Sequence, residues 1–248
     1  MEQSGNRLSG RRTQLQHALE CGVAGPGGYG IIYAGSNQDS AYFGDDRTFE
    51  FSRSNNNSDN GYVLDGSGAL GYQFDFTADG EIQPWFSVTP LAGYSYHEQN
   101  LRITDGFQTI PPYGPFPDLY SRYDTQWKGP WLGLDLDWAI TDRWDVATGF
   151  EYHFASYAAK ANWNLRSDFQ HPVSFTHEAD GYGVVADLSG RYRFTDYFAL
   201  LVSGYYQYWS AKDGTDTVFF SDGQVLSTKL NEVIWQSFGF NLGLQLLF

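Results

Sequence analysis

The chain is poor in the features that mark several large protein classes. It has a single cysteine among 248 residues, so it cannot carry a disulfide framework of its own. No run of 18 apolar residues occurs, which excludes a membrane protein built from spanning helices. Basic residues are scarce: Lys+Arg is 15 against Asp+Glu 29, a formal charge of -14. A nucleic-acid binder needs a basic footprint on the phosphates, and this balance excludes one. There is no GxGxxG on a strand–helix unit, no CxxC and no HExxH, so nucleotide-fold and zinc-enzyme readings have no support. Residues 1–27 hold Arg7, Arg11 and Arg12 but lack the apolar stretch of roughly 7–15 residues that a secretory signal requires.

What is abundant is aromatic and glycine content. Aromatics make up 18% of the chain and Gly numbers 28, which excludes general disorder for an acidic sequence. Mean hydropathy is only -0.43. A membrane β-barrel keeps a low mean because lipid-facing and lumen-facing residues alternate. That alternation is explicit from Gly28 onward. In WLGLDLDWAI, Leu132, Leu134, Leu136, Trp138 and Ile140 share one face, while Trp131, Gly133, Asp135, Asp137 and Ala139 share the other. The last segment repeats the pattern, with Ile234, Phe238, Phe240, Leu242, Leu244, Leu246 and Phe248 on one side.

Short turns are expected at Ala78–Gly80, Thr141–Arg143 and Thr195–Asp196, and long polar loops near 54–61, 102–122, 164–177 and 211–230. Short turns at one end and long loops at the other is the layout of an outer-membrane barrel. Two aromatic groups are expected to form interfacial girdles. One lies beside the short turns (Tyr72, Phe74, Phe76, Trp85, Phe86, Trp138, Trp144, Tyr192, Phe194, Tyr197, Phe198). A second lies higher (Tyr94, Tyr96, Tyr123, Trp127, Tyr206, Tyr208, Trp209). Asp135, Asp137, Glu151, His153, Asp187, Arg191 and Arg193 fall on the lumen face, where mixed charge is expected to plug a narrow barrel. The expected fold is all-β: an antiparallel transmembrane up-and-down β-barrel of 8–10 strands, with short periplasmic turns and long extracellular loops, in the bacterial cell outer membrane.

The ending LGLQLLF resembles the terminal assembly signal of bacterial outer-membrane barrels. The stretches FSVTPLAGYSYHEQNLRITDGF, KGPWLGLDLDWAITDRWDVATGFEYHF and GYGVVADLSGRYRFTDYFALLVSGYYQYW, in that order, resemble the omptin family. FSRSNNNSDNGYVLDGSGALGY resembles omptin-related barrels of environmental chlamydiae. The resemblance implies a ten-stranded barrel over 28–248 and, in many members, surface endopeptidase activity through an Asp–His pair opposed by two carboxylates. The pattern is not matched here: Asn164 and Arg166 stand where that Asp and His belong, and neither can act as a base. Asp45 and Asp46 are adjacent rather than spaced by one residue, so they face opposite ways. The candidate catalytic set is therefore Asp45, Asp46, Asp168 and His171, the last two in SDFQHP.

The expected function is a non-catalytic outer-membrane barrel with a structural, adhesion or recognition role. An omptin-type endopeptidase with a rearranged Asp/His site is the alternative, and a narrow porin the second alternative. No cofactor or metal is expected. Expected partners are outer-membrane lipid, lipopolysaccharide as a structural lipid, basic peptides and host surface molecules, with no nucleic acid. Residues 1–27 are expected to be an arm, disordered or mis-started, because the strand count falls short of ten and no signal sequence is evident.

Overall fold

The computed structural model describes residues 19–20, 28–32, 34–44, 46–77 and 83–246, with the backbone alone for 19–20 and 28–31. It is an antiparallel sheet with no helix among the described residues. The strands are β1 (Leu19–Glu20), β2 (Gly28–Ile32), β3 (Ser36–Tyr42), β4 (Glu50–Tyr72), β5 (Phe74–Phe76), β6 (Phe86–Ile110), β7 (Gly114–Ala139), β8 (Trp144–Asn162), β9 (Phe175–Arg193), β10 (Phe198–Phe219) and β11 (Val225–Leu246). β1, β2 and β3 all pair with β4 and form one interrupted row, and β5 continues β4 along β6. Among the described residues the sheet thus has eight rows in the order β1-β4-β6-β7-β8-β9-β10-β11. The arm expected over 1–27 lies outside the described residues except for Leu19–Glu20, which pairs with Gly71 and Tyr72. The turn expected at 78–80 also lies outside them.

Alternation gives these strands one apolar face and one mixed face, and the ladder assigns each. Phe86↔Trp138, Val88↔Leu136, Pro90↔Leu134 and Ala92↔Leu132 lie on one side of β6–β7, and Leu200↔Leu244, Val202↔Leu242 and Gly204↔Phe240 lie on one side of β10–β11. This side points out: Phe240 is 80% exposed, and Leu132, Phe150, Leu188 and Leu242 are exposed with it. A water-soluble barrel would not leave so continuous an apolar band uncovered. The lower girdle stands as expected, with Phe86 and Trp138 rings at 5.1 Å and Trp144 and Tyr192 at 4.7 Å.

The upper girdle needs correction. Tyr94 and Tyr206 point outward and are exposed, but Trp127 and Trp209 are each only 1% exposed and point into the lumen, as does Tyr123. The expected loops also shrink. Residues 54–61 are part of β4, β6 runs to Ile110, and β10 and β11 leave only 220–224 between them. β7 alone has 26 residues, whereas a tilted membrane crossing takes about 9–11. About half of each long strand therefore stands above the membrane, and the barrel wall itself forms the extracellular surface.

The two ends of the sheet meet at the top. Lys229 Nζ lies 2.9 Å from Asp46 Oδ1 and 2.8 Å from Asp213 Oδ1. Arg47 Nη1 is 2.9 Å from Glu232 Oε2, and the Asp46 N–H donates to Asn231 Oδ1 at 3.0 Å. Each exposed pair is weak alone, but together they draw the β3–β4 tip onto β11.

Candidate functional site

Large buried side chains from β6, β7, β8 and β10 pack together in the lumen. The largest fully buried side chains are Trp127, Trp209, Tyr157, Ile103 and His153. Trp127 lies 4.3 Å from Tyr157 and 5.7 Å from Trp209, measured between ring centroids. His97 and His153 pack on the Trp209 ring at 4.5 and 4.8 Å. Glycine opposite Trp209 makes room for it: a Cβ on Gly183 would lie 2.4 Å from the indole. Most polar groups in this layer are bonded, as burial demands, and His97 Nε2 is the exception. Trp127 Nε1 donates to Gln99 Oε1 at 3.1 Å, and Thr125 Oγ1 donates to the same oxygen. Ser95 Oγ and His153 Nδ1 share a 2.9 Å hydrogen bond, and His153 Nε2 lies 3.0 Å from Glu151 Oε2. His97 Nδ1 is 2.7 Å from Asp65 Oδ1. Below this layer Arg191 binds Asp145 through Nε and Nη2 at 2.9 and 2.6 Å, so the expected mixed-charge plug is present.

Above the layer the wall encloses a polar mouth. His177 on β9 is its centre. Its Nδ1 shares a 2.8 Å hydrogen bond with Tyr123 Oη, which in turn meets Tyr157 Oη at 2.5 Å. Its Nε2 lies 3.5 Å from Asp216 Oδ1 on β10. Asp39 on β3 acts electrostatically on both: His177 favours its charged form and Asp216 opposes it. Asp39 is exposed to solvent, yet the protein groups beside it displace water from part of its carboxylate. That desolvation outweighs the neighbouring charges and raises its pKa above the ordinary carboxylate value. Burial likewise pushes the Tyr123 phenol up, so it stays neutral.

A register shift builds this site. Lys212 pairs with Asp180, but Thr215 pairs with Glu178, so β10 carries one extra residue. Asp213 takes φ 55° within the irregularity. A one-residue slip exchanges the two faces of a strand. Asp216 is thereby placed opposite His177 rather than Thr176.

The four residues expected to carry chemistry do not assemble here. Asp45 lies outside the described residues. Asp46 is exposed at the β3–β4 tip with Lys229. Asp168 is bound bidentately by Arg166, at 2.9 Å to Nε and 2.7 Å to Nη2. His171 Nδ1 contacts Asn162 Oδ1 at 2.6 Å. Asn164, standing where the family resemblance calls for an acid, bridges β7: it accepts from Tyr120 N at 2.9 Å and donates to the Asp118 carbonyl at 2.7 Å. The Arg166 fork holds the Asp168 carboxyl down at about 2. An acid depressed this far supports the fold above its unfolded value near 3.9, and that support is lost as pH falls through about 2. In a carboxyl-carbon NMR titration Asp168 is expected to stay ionised at pH 3, and in Arg166→Ala to titrate in the ordinary range.

The sequence matches the family described as Pom, Protochlamydia outer membrane protein, over residues 11–248. The chain belongs to this family. It is an outer-membrane protein, which accords with the outward apolar band and the lower girdle. No curated protein matches the chain. Among solved structures it is similar to the outer membrane protease OmpT from Escherichia coli, with a TM-score of 0.58 at 13% identity, covering 90% of this chain and 94% of that one. At that identity the likeness establishes the omptin-like barrel fold alone. The family members' shared barrel therefore supplies the scaffold, and the chemistry has to be read from the mouth.

Proposed function

We propose that this outer-membrane barrel is non-catalytic and works by recognition at its extracellular mouth. One observation carries this reading: His177 Nδ1 shares a 2.8 Å hydrogen bond with Tyr123 Oη, and Asp216 Oδ1 stands 3.5 Å from Nε2, unbonded but in the space a water would need. A general base needs a nitrogen within hydrogen-bond reach of the water it deprotonates, and this imidazole is already flanked on both sides. The sealed layer of Trp127, Trp209 and Tyr157 also argues against the porin reading. Outer-membrane lipid, with lipopolysaccharide in the outer leaflet, surrounds the barrel in this proposal. Basic peptides and host surface molecules are the partners that an acidic mouth would attract.

The endopeptidase reading keeps one point in its favour, the approach of two carboxylates, Asp39 and Asp216, to one histidine. A single assay separates the two. The chain is refolded in detergent with lipopolysaccharide, and heat-modifiable gel mobility verifies a closed barrel. It is then given a fluorogenic peptide with an Arg-Lys bond. The expected result is no cleavage. Turnover by folded protein that disappears in His177→Ala would overturn the proposal.

A further inference from the structure

The outer wall carries a notch just above its apolar band. On β7 the lipid-facing row runs Trp138, Leu136, Leu134, Leu132 and Pro130, and then turns to the exposed Lys128. Lys128 stands ten residues above Trp138, about 25 Å along the barrel axis for a strand tilted by about 40°. That matches the height of the apolar band on such barrels, so Lys128 lies among the headgroups of the outer leaflet. Ser156 and Asp180 hold the same level on the next two strands, because Lys128 pairs with Ser156 and Ser156 with Asp180. One level lower lie Tyr94, Pro130 and Phe154, with both rings exposed. The β7–β8 ladder skips Gly129 and Pro130, and a proline has no N–H to give to it. The wall opens there into a cavity of about 430 Å³ lined by Tyr94, Lys128, Pro130, Phe154, Ser156 and Asp180.

The notch holds one charge of each sign. Neither Lys128 nor Asp180 is engaged in an ion pair among the described residues. Lys212, the cation across the ladder from Asp180, is held by Glu232 at 2.8 Å. Two strand spacings separate Lys128 from Asp180, about 10 Å between backbones, with the Ser156 side chain between them. A ligand that fits carries an anion and a cation a few bonds apart and an apolar tail that runs down the wall. We propose that the notch binds the headgroup of a phosphatidylethanolamine molecule of the surrounding leaflet. Lys128 Nζ and Ser156 Oγ donate to its phosphate, and the Asp180 carboxylate accepts from its ammonium group. Its acyl chains lie over Phe154 and Leu132, both exposed on the lipid side. Phosphatidylglycerol offers no cation to Asp180, and the choline group of phosphatidylcholine has no N–H to donate. A headgroup with several phosphates would bring excess negative charge against Asp180. The notch is on the outer wall, so this inference stands apart from whatever the mouth recognises.

The test uses the full chain, refolded in detergent and checked by heat-modifiable mobility. The barrel is equilibrated with equimolar phosphatidylethanolamine, phosphatidylcholine and phosphatidylglycerol of identical acyl chains, and native mass spectrometry counts the lipid retained. Phosphatidylethanolamine is expected to be retained at least about 10-fold more than either competitor. Lys128→Ala is expected to lower its retention about 10-fold, and Asp180→Ala to abolish its preference over phosphatidylcholine. Lys160→Ala, which removes a cation from the same outward face of β8 but outside the notch, is expected to change neither. Equal retention of phosphatidylglycerol or phosphatidylcholine by the parent, no retained lipid, or an unchanged pattern in both notch variants would overturn the proposal. The parent's choice among the three lipids decides the matter even if one variant fails to fold.

Discussion

Trp209→Ala is expected to destabilise the folded barrel by about 3–5 kcal/mol. Trp209 is 1% exposed and joins three contacts that close the lumen: Trp127 at 5.7 Å, His97 at 4.5 Å and His153 at 4.8 Å. Gly183 stands opposite and has no side chain to move into the space. The cavity therefore stays open, and its lining loses both hydrophobic transfer energy and packing contacts. Urea titration of the refolded barrel in detergent, followed by tryptophan fluorescence and gel mobility, checks the size. A second readout is specific to the plug. Removing the indole opens a route between the polar mouth above and the charged lumen below. The parent protein is expected to be silent in a planar bilayer, and the variant to show conductance steps. Steps of equal size in the parent would mean that the layer does not seal the lumen and would revive the porin reading.

Leu242→Arg is expected to cost about 2–4 kcal/mol when the chain is folded into lipid bilayers. Leu242 pairs with Val202 on the outward face of β10–β11, among Phe240, Leu244 and Leu200. A guanidinium there must reach the headgroups or draw water into the hydrocarbon. The neighbouring change Asn241→Arg probes the opposite face. Asn241 pairs with Ser203, toward the lumen, and its amide bonds Ser203 Oγ at 3.3 Å. That substitution is expected to cost well under half as much. Refolding titrations in bilayers of defined thickness give the comparison. Equal penalties at 241 and 242 would mean that the faces are assigned wrongly.

The face assignment was legible in the sequence wherever alternation is unbroken. WLGLDLDWAI and the closing strand each show an apolar row backed by small or polar residues, and both rows lie where the pattern puts them. The lower aromatic girdle follows for the same reason. Arg191 was legible as a lumen charge too, because no lipid-facing position could hold it, whereas its partner Asp145 came only with the structure.

The upper half of the barrel was not legible in this way. There both faces meet water, so no apolar row marks the outside. Polar strands such as NNNSDNG then read as a long polar loop although they continue β4. Trp127 and Trp209 illustrate the ambiguity. An aromatic residue near the membrane surface satisfies a girdle or a plug equally well from composition, and only the ladder shows which way it points.

The mouth lay further still from sequence reasoning. Asp168 and His171 are neighbours in the chain, yet the Arg166 fork and Asn162 hold them with other partners. His177 and Asp216 are far apart in sequence, and their meeting depends on one extra residue between Lys212 and Thr215. Asp39 feels their charge from the first row because the sheet curls until its ends are joined by Lys229 and Arg47. Alternation along a strand is local and set by the pleat, so the sequence by itself determined the barrel, its lipid face and its membrane. Register shifts and the closing of the sheet are long-range outcomes of pairing. They alone decided which residues share the lumen and which groups line the mouth.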